Sequence, residues 1–329
     1  MTGEATIVGT GSVGLALAAR LARAGVAVLL VARRSEAARA LSERGLAAVD
    51  AASGRRAGLA VRATPLSRWE PGAGGPIFAC TRTDAVEAVA ARAAGGAAPL
   101  VTFQNGVASE AVAARHKAPV IGGVWRETST RRADDCVCLQ LERRGRAVLG
   151  LHPEGESAAV ESAAALLRSA SIDVSISAAI TRDKWLKLCI NLMTAPNALV
   201  RRPDHRDAAF VEVKARLLEE AQAVLEAAGI DATPCDDRDR TLAQEIAFQR
   251  DSLARGTSAR PLPLYNHVWT GLHRRASLEA DDYHERIIRL GSRHGVRTPV
   301  NERVLACLHE AGRDRLGPEC FAAHALLPG

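Results

Sequence analysis

The chain has 329 residues, more than one average domain needs, and its 47% hydrophobic content is enough for sizeable cores. Aromatic residues make up only 3%, which argues against stacking platforms for single-stranded nucleic acid. The net charge of +6 comes from Lys and Arg scattered beside Asp and Glu, so the expectation is two domains and a small, anionic partner molecule, with no nucleic acid.

Thr6 to Val8 reads as a buried strand, and Gly9-Thr10-Gly11-Ser12-Val13-Gly14 interrupts it with three glycines in GxGxxG spacing. Leu15 to Ala24 then reads as a helix, Gly25 ends it, and Val26 to Val31 supplies a second strand. In this context the first glycine permits a tight turn, Gly11 lets backbone approach a pyrophosphate, and Gly14 allows close packing of helix on strand. Phosphate would sit at the helix N-terminus, where unpaired N–H groups point. The second strand ends in Arg33-Arg34 with no acid. Arginine there suits the extra phosphate of NADP, whereas an acid would bind the ribose hydroxyls of NAD.

Further along, Arg34 to Gly45 is a polar helix, Leu59 to Ala63 a strand, Ile77 to Cys80 another, and Asp84 to Ala94 a helix. Leu100 to Phe103 is a strand closed by Gln104-Asn105-Gly106. Repeated βα units predict a parallel sheet with helices on both faces and ligands beyond the C-terminal strand ends, where Asn105 stands. Pro119 to Leu151 breaks into short strands with turns at Asp134-Asp135 and Arg144-Gly145, extending the sheet in mixed fashion, and Arg143 to Arg146 reads as a hairpin turn. Ser157 to Ser169 is a helix and Ile172 to Ile176 a last strand.

Beyond Ala178 the strand signal ends, and Thr181 to Leu199, Ala208 to Gly229, Arg238 to Arg255, Leu264 to Gly295 and Val300 to Ala311 read as helical. The boundary is placed near Ser177, giving domains 1–177 and 178–329. On the boundary helix, Lys187 and Asn191 lie one turn apart on one face with Lys184 nearby. Seven cysteines without a CxxC pair point to a reducing, cytoplasmic setting. No HExxH or other metal-ligand spacing occurs, and neither a signal peptide nor a membrane span is expected.

Taken together, GTGSVG followed by Arg33, Gln104-Asn105-Gly106, Trp185-Leu186-Lys187-Leu188 with Asn191, and Glu279-Ala280-Asp281-Asp282-Tyr283 through His294-Gly295-Val296-Arg297-Thr298-Pro299 resemble the ketopantoate (2-dehydropantoate 2-) reductase family. The resemblance covers nearly the whole chain. It implies an α/β Rossmann-type N-terminal domain, which binds NADP(H), and an all-α C-terminal domain for substrate and dimerisation, so a homodimer is compatible with it. By position, Lys187 matches the family's catalytic lysine, Asn191 a substrate-side asparagine, and Glu279 an acid that contacts substrate. The cofactor would be held by Gly9, Thr10, Gly11, Ser12, Val13, Gly14, Arg33 and Asn105.

Lysine ammonium chemistry fits such a role, because a cation within hydrogen-bond reach of a carbonyl stabilises developing negative charge and donates the proton. The chain departs from the family where Phe78 stands nearest a second lysine, with Arg82 close by, and where Ala195 replaces an asparagine, with Asn197 nearby. His267 or Asn266 falls where a substrate-contacting serine is usual. The expected activity is therefore NADPH-dependent reduction of a 2-keto acid or related carbonyl compound with altered specificity, its substrate met by Asn191, Asn197, His267 and Glu279. An NADP-dependent dehydrogenase, an imine reductase and an NADP-binding sensor without turnover are the alternatives.

Overall fold

Short apolar runs separated by glycines build the centre of the first sheet. A computed structural model of the chain describes every residue except 1–3, 73, 253–261, 277 and 279, and at 280 and 281 the backbone alone. β1 (Glu4–Val8) and β2 (Ala27–Ala32) pair in parallel with Thr6 opposite Leu29 and Val8 opposite Val31, and α1 (Ser12–Arg23) connects them. Leu15, Leu17 and Leu21 of α1 are fully buried together with Ala16, Ala18 and Ala19. With so little side chain beneath it, the helix lies close to the strands.

The first unit continues through α2 (Ser35–Arg44), β3 (Leu46–Asp50), β4 (Arg56–Leu59), β5 (Arg62–Pro65), β6 (Ile77–Ala79), α3 (Val86–Ala93), β7 (Leu100–Thr102) and α4 (Ser109–Ala114). It ends with β8 (Val120–Trp125), β9 (Thr130–Ala133), β10 (Cys136–Leu139), β11 (Gly145–Leu151), α5 (Ala158–Ser169) and β12 (Ile172–Ile176). Eight strands form the main sheet in the order β12-β11-β8-β7-β6-β1-β2-β5. Every neighbouring pair is parallel except β8 with β11. The α1 and α5 side chains pack on one face with Phe78, Val101, Ile121 and Leu149, while α3, Ala113 of α4 and Trp69 cover the other. This is the α/β arrangement that repeated βα units predict, with the mixed extension reached through β8 and β11.

A second sheet of four strands, β4-β3-β10-β9, is absent from the sequence reading. It explains two departures. The single strand expected over Leu59 to Ala63 is divided, because the chain leaves the small sheet after Leu59 and joins the edge of the main sheet at Arg62. Pro65 closes that edge strand, a position where a missing N–H costs little. Arg143 to Arg146 is likewise no hairpin turn: it carries the chain from β10 in the small sheet to β11 in the large one.

Helices follow: α6 (Ile180–Leu192), α7 (Thr194–Leu199), α8 (Ala208–Ala227), α9 (Leu242–Arg250), and then His267–Arg274, Ala280–His294 and Pro299–Arg313. The chain divides into two compact units, residues 1–184 with 262–264 and residues 185–261 with 265–329. Among the described residues of the second unit the only β pairing is an isolated bridge between Val200 and Phe321. The region expected as helix from Leu264 to Gly295 holds two helices, the first ended by Arg275 in a left-handed conformation (φ 52).

Within this unit α8 buries Phe210, Val213, Leu217, Leu218, Ala221 and Val224. Its Glu220 also serves the helix Pro299–Arg313, accepting from the N–H groups of Val300 (2.8 Å) and Asn301 (2.9 Å), which places an anion on the positive end of that helix. Asn301 in turn meets Nδ1 of the fully buried His284 at 2.9 Å. No helix among the described residues is long and apolar enough to cross a membrane.

Candidate functional site

The parallel strands bring the turns after β1, β2, β6 and β7 to one edge of the main sheet. After β1, Gly9 adopts φ +114, and a Cβ there would lie 2.6 Å from the carbonyl oxygen of Cys80. At Gly14 a Cβ would fall 2.0 Å from the Gly9 carbonyl oxygen. Both glycines are therefore demanded by the fold. Gly11 differs, since a Cβ there would meet nothing nearer than the Cys80 oxygen at 3.9 Å. Its outer side is open, as a site for approaching phosphate requires.

No side chain caps α1, whose N-cap is Gly11, so the N–H groups of its first turn remain aimed past the glycines. Thr10, Gly11, Ser12 and Val13 are half-buried, with Val13 packed against the core of the sheet. Ser12 has a structural task as well: its Oγ accepts from the Arg131 N–H at 3.1 Å, and its carbonyl accepts from Ser129 Oγ at 3.0 Å. These residues fit a dinucleotide pyrophosphate in glycine placement and in free N–H groups.

The two arginines after β2 have different surroundings. Arg33 is exposed and makes no hydrogen bond or ion pair with the described residues. Arg34 is held by Asp134, 2.6 Å from both carboxylate oxygens. After β7, Gln104 spans to the end of β6, its Nε2 donating to the carbonyls of Ala79 (3.0 Å) and Thr81 (3.2 Å). Gly106, with φ +85, supplies the left-handed residue of this turn, so Asn105 is not there for its backbone conformation. Asn105 is half-buried at the strand end.

α6 starts on two buried anchors that sequence spacing did not reveal. Ser177 donates to Asp183 at 2.6 Å, and Lys184 donates to the Gln104 carbonyl at 2.7 Å and to Glu110 at 2.5 Å. Glu110 accepts from Thr102 too, at 2.8 Å. Lys184 is 3% exposed. Spacing alone grouped it with Lys187 and Asn191, yet its charge is consumed by Glu110 inside the first unit.

In the second unit Lys187 is half-buried and Asn191 buried. α6 ends at Leu192, and at the start of α7 the Thr194 carbonyl accepts from Asn266 Nδ2 at 3.0 Å. The other end of the Asn266 amide caps the next helix by accepting from the Trp269 N–H at 2.9 Å. Asn266 is thus fully committed to structure. His267 beside it has a buried Nε2 with no hydrogen-bond partner among the described residues. Burial, with the Lys187 charge adding to it, lowers its pKa from 6.5 to about 4, so the ring is neutral at pH 7.

Asn197 is half-buried on α7, where Ala195 is fully buried. Phe78 is a core residue, fully buried in β6 with its ring 6.0 Å from that of Phe103. It belongs to the sheet core, and Arg82 is the cation beyond that strand end. Glu279 lies outside the described residues.

Two family models match the chain: "Ketopantoate reductase PanE/ApbA" over residues 5–154 and "Ketopantoate reductase PanE/ApbA C terminal" over residues 179–312. None of the curated proteins compared matches it. Among solved structures, the PanE/ApbA family ketopantoate reductase from Ralstonia eutropha is 21% identical, with 95% of this chain and 99% of that chain covered at a TM-score of 0.75. The 2-dehydropantoate 2-reductase from Methylococcus capsulatus is 22% identical, with coverage of 94% and 98% and a TM-score of 0.71. D-mandelate dehydrogenase, solved with NADH and anilino(oxo)acetate, is 18% identical, with coverage of 95% and 99% and a TM-score of 0.78. At these identities the structures attest the fold, and the two family models carry the assignment across both units: the chain belongs to the ketopantoate reductase family.

Proposed function

We propose that this protein is an NADP(H)-dependent reductase of a 2-keto acid or related carbonyl compound other than ketopantoate, acting in the cytoplasm as a family member with an altered substrate shell. The choice of NADP rests chiefly on Arg33, an exposed guanidinium without a partner among the described residues, next to a glycine turn open at Gly11. A guanidinium of this kind suits a 2′-phosphate. Gly9 to Gly14, with Asn105 at the neighbouring strand end, would hold the rest of the cofactor, which supplies a hydride when bound. Residues 1–177 are read as the cofactor domain and 178–329 as the substrate domain, whose helices would also serve a homodimer.

In this reading the Lys187 ammonium donates a hydrogen bond to the substrate carbonyl oxygen and then its proton, stabilising the charge that develops there. Asn191 and Asn197 orient substrate oxygens, and Glu279 accepts from a substrate hydroxyl. His267, neutral at pH 7 and electrostatically coupled to Lys187, offers Nε2 to a substrate polar group. Ala195 and His267 support a substrate other than ketopantoate, because a site that exchanges hydrogen-bonding partners can lose discrimination by several powers of ten. Steady-state kinetics with NADPH and a carbonyl panel test the proposal. A kcat/KM for ketopantoate of about 10⁴ M⁻¹s⁻¹ or more would restore ordinary ketopantoate reduction.

The likeness in fold to D-mandelate dehydrogenase favours a second reading, in which the same residues would bind a 2-hydroxy acid and take its hydroxyl proton while the oxidised cofactor accepts the hydride. Turnover of mandelate with oxidised cofactor, and none of any keto acid with NADPH, would select it.

A further inference from the structure

The strand that carries Arg131 runs from the glycine turn towards the two arginines. Its main chain is fixed to the start of α1, where the Arg131 N–H donates to Ser12 Oγ at 3.1 Å and Ser129 donates to the Ser12 carbonyl at 3.0 Å. Three residues on, Asp134 meets Arg34, the residue immediately after Arg33, with both carboxylate oxygens 2.6 Å from one guanidinium nitrogen. Arg131 reaches the same carboxylate with its side chain. One acid thus serves two cations while Arg33 has no partner among the described residues.

The turn is independently anchored. Asp135 pairs with Arg44 at 2.6 Å, which holds the Asp135 carboxyl below the usual range, and its carbonyl accepts from the Ala47 N–H at 2.8 Å. Asp134 is 26% exposed and Arg34 53%, so water reaches the pair and Arg34 can exchange partners.

We propose that Asp134 is a specificity-determining residue for the cofactor: by holding Arg34 and Arg131 it leaves Arg33 as the cation for a 2′-phosphate and weakens the preference for NADP below what two consecutive arginines would produce. The physical ground is competition. A carboxylate already paired with Arg34 must be displaced before that guanidinium can serve a phosphate, and its own charge repels the incoming anion. This inference rests on the reading of Arg33 as the 2′-phosphate contact. It adds that the acid missing from the end of β2 is supplied by the β9–β10 turn, a hundred residues along the chain.

The test is calorimetric binding of 2′,5′-ADP and of 5′-ADP to the full-length protein at low and high salt, for wild type, Asp134→Asn, Arg34→Ala, the double variant and Arg33→Ala, each with its thermal midpoint. Asp134→Asn should tighten 2′,5′-ADP about threefold or more, the upper range for an exposed ion pair, leave 5′-ADP within about twofold of wild type, and lose the gain at high salt. Arg34→Ala should change little in the wild-type background and take away part of the gain in the Asp134→Asn background. Arg33→Ala should weaken 2′,5′-ADP by about tenfold or more.

Should Asp134→Asn leave 2′,5′-ADP within twofold, or keep its whole gain without Arg34, the assignment of Asp134 is overturned while Arg33 stands. If Arg33→Ala binds 2′,5′-ADP like wild type, the underlying reading fails and takes this inference with it. A misfolded Asp134→Asn protein leaves the Arg34→Ala arm decisive: a tenfold loss there would show that Arg34 already serves the phosphate and sink the proposal.

Discussion

Arg33 and Arg34 are identical and adjacent, yet their surroundings assign them different work. A guanidinium with no partner among the described residues loses little when it binds phosphate, so Arg33→Ala should cost NADPH about tenfold or more in affinity, the value of a hydrogen bond to a charged group, and leave NADH nearly unchanged. Fluorescence titration of both cofactors checks this. Lys187 makes a different prediction, since a proton donor acts at the transition state. Lys187→Ala should lower turnover by about 10² to 10⁴ with NADPH affinity retained, and a variant that keeps its rate would make Lys187 structural. The residues behind both predictions stand in recognisable motifs. His267 does not, and the choice between it and Asn266 became legible only when Asn266 proved to be spent on the Thr194 carbonyl and the Trp269 N–H.

At the scale of elements, α1 shows how a helix chosen by local pattern is pinned by distant charge. Arg20, 3% exposed, donates to Glu127 at 2.9 and 2.5 Å and to the Gln140 carbonyl at 3.1 Å. Arg20→Met should destabilise the protein by about 3–5 kcal/mol, because it leaves a buried carboxylate unpaired, and Arg20→Met with Glu127→Leu should recover most of that loss. Urea unfolding of the two variants measures the difference. Gly14→Ala belongs here too. With no room between its Cβ and the Gly9 carbonyl, it should shift helix from strand and lower stability by more than the typical 1–3 kcal/mol of overpacking. The expected strand over Leu59 to Ala63 failed at this scale, since an apolar run cannot state that its two halves join different sheets.

For the molecule as a whole, pH dependence follows from His284, whose pKa burial lowers from 6.5 to about 4. The depressed value means the folded protein binds this proton later than the unfolded chain does. Stability is therefore complete above pH 6.5 and falls as pH drops from there towards 4, by about 1.4 kcal/mol per unit. Denaturant midpoints at pH 7 and pH 5 should differ in the wild type, and the difference should shrink in His284→Gln, which removes the titrating ring. The same burial surrounds the Asn301 and Glu220 contacts that start the last long helix, so the loss should appear in the helical unit first.

What the sequence by itself determined is what neighbouring residues decide by sterics and periodicity. The glycine turn, the alternation of strand and helix and the helical second half belong to this class, because each signal is complete within a short window, and the family follows from several such windows in the right order. Only the tertiary structure decided that β3 and β10 form a sheet of their own, that Asp134 meets Arg34, and that Lys184 is spent on Glu110. Those outcomes join residues tens to a hundred positions apart. Local pattern is blind to them, since which distant groups share one buried charge is set by how the layers stack.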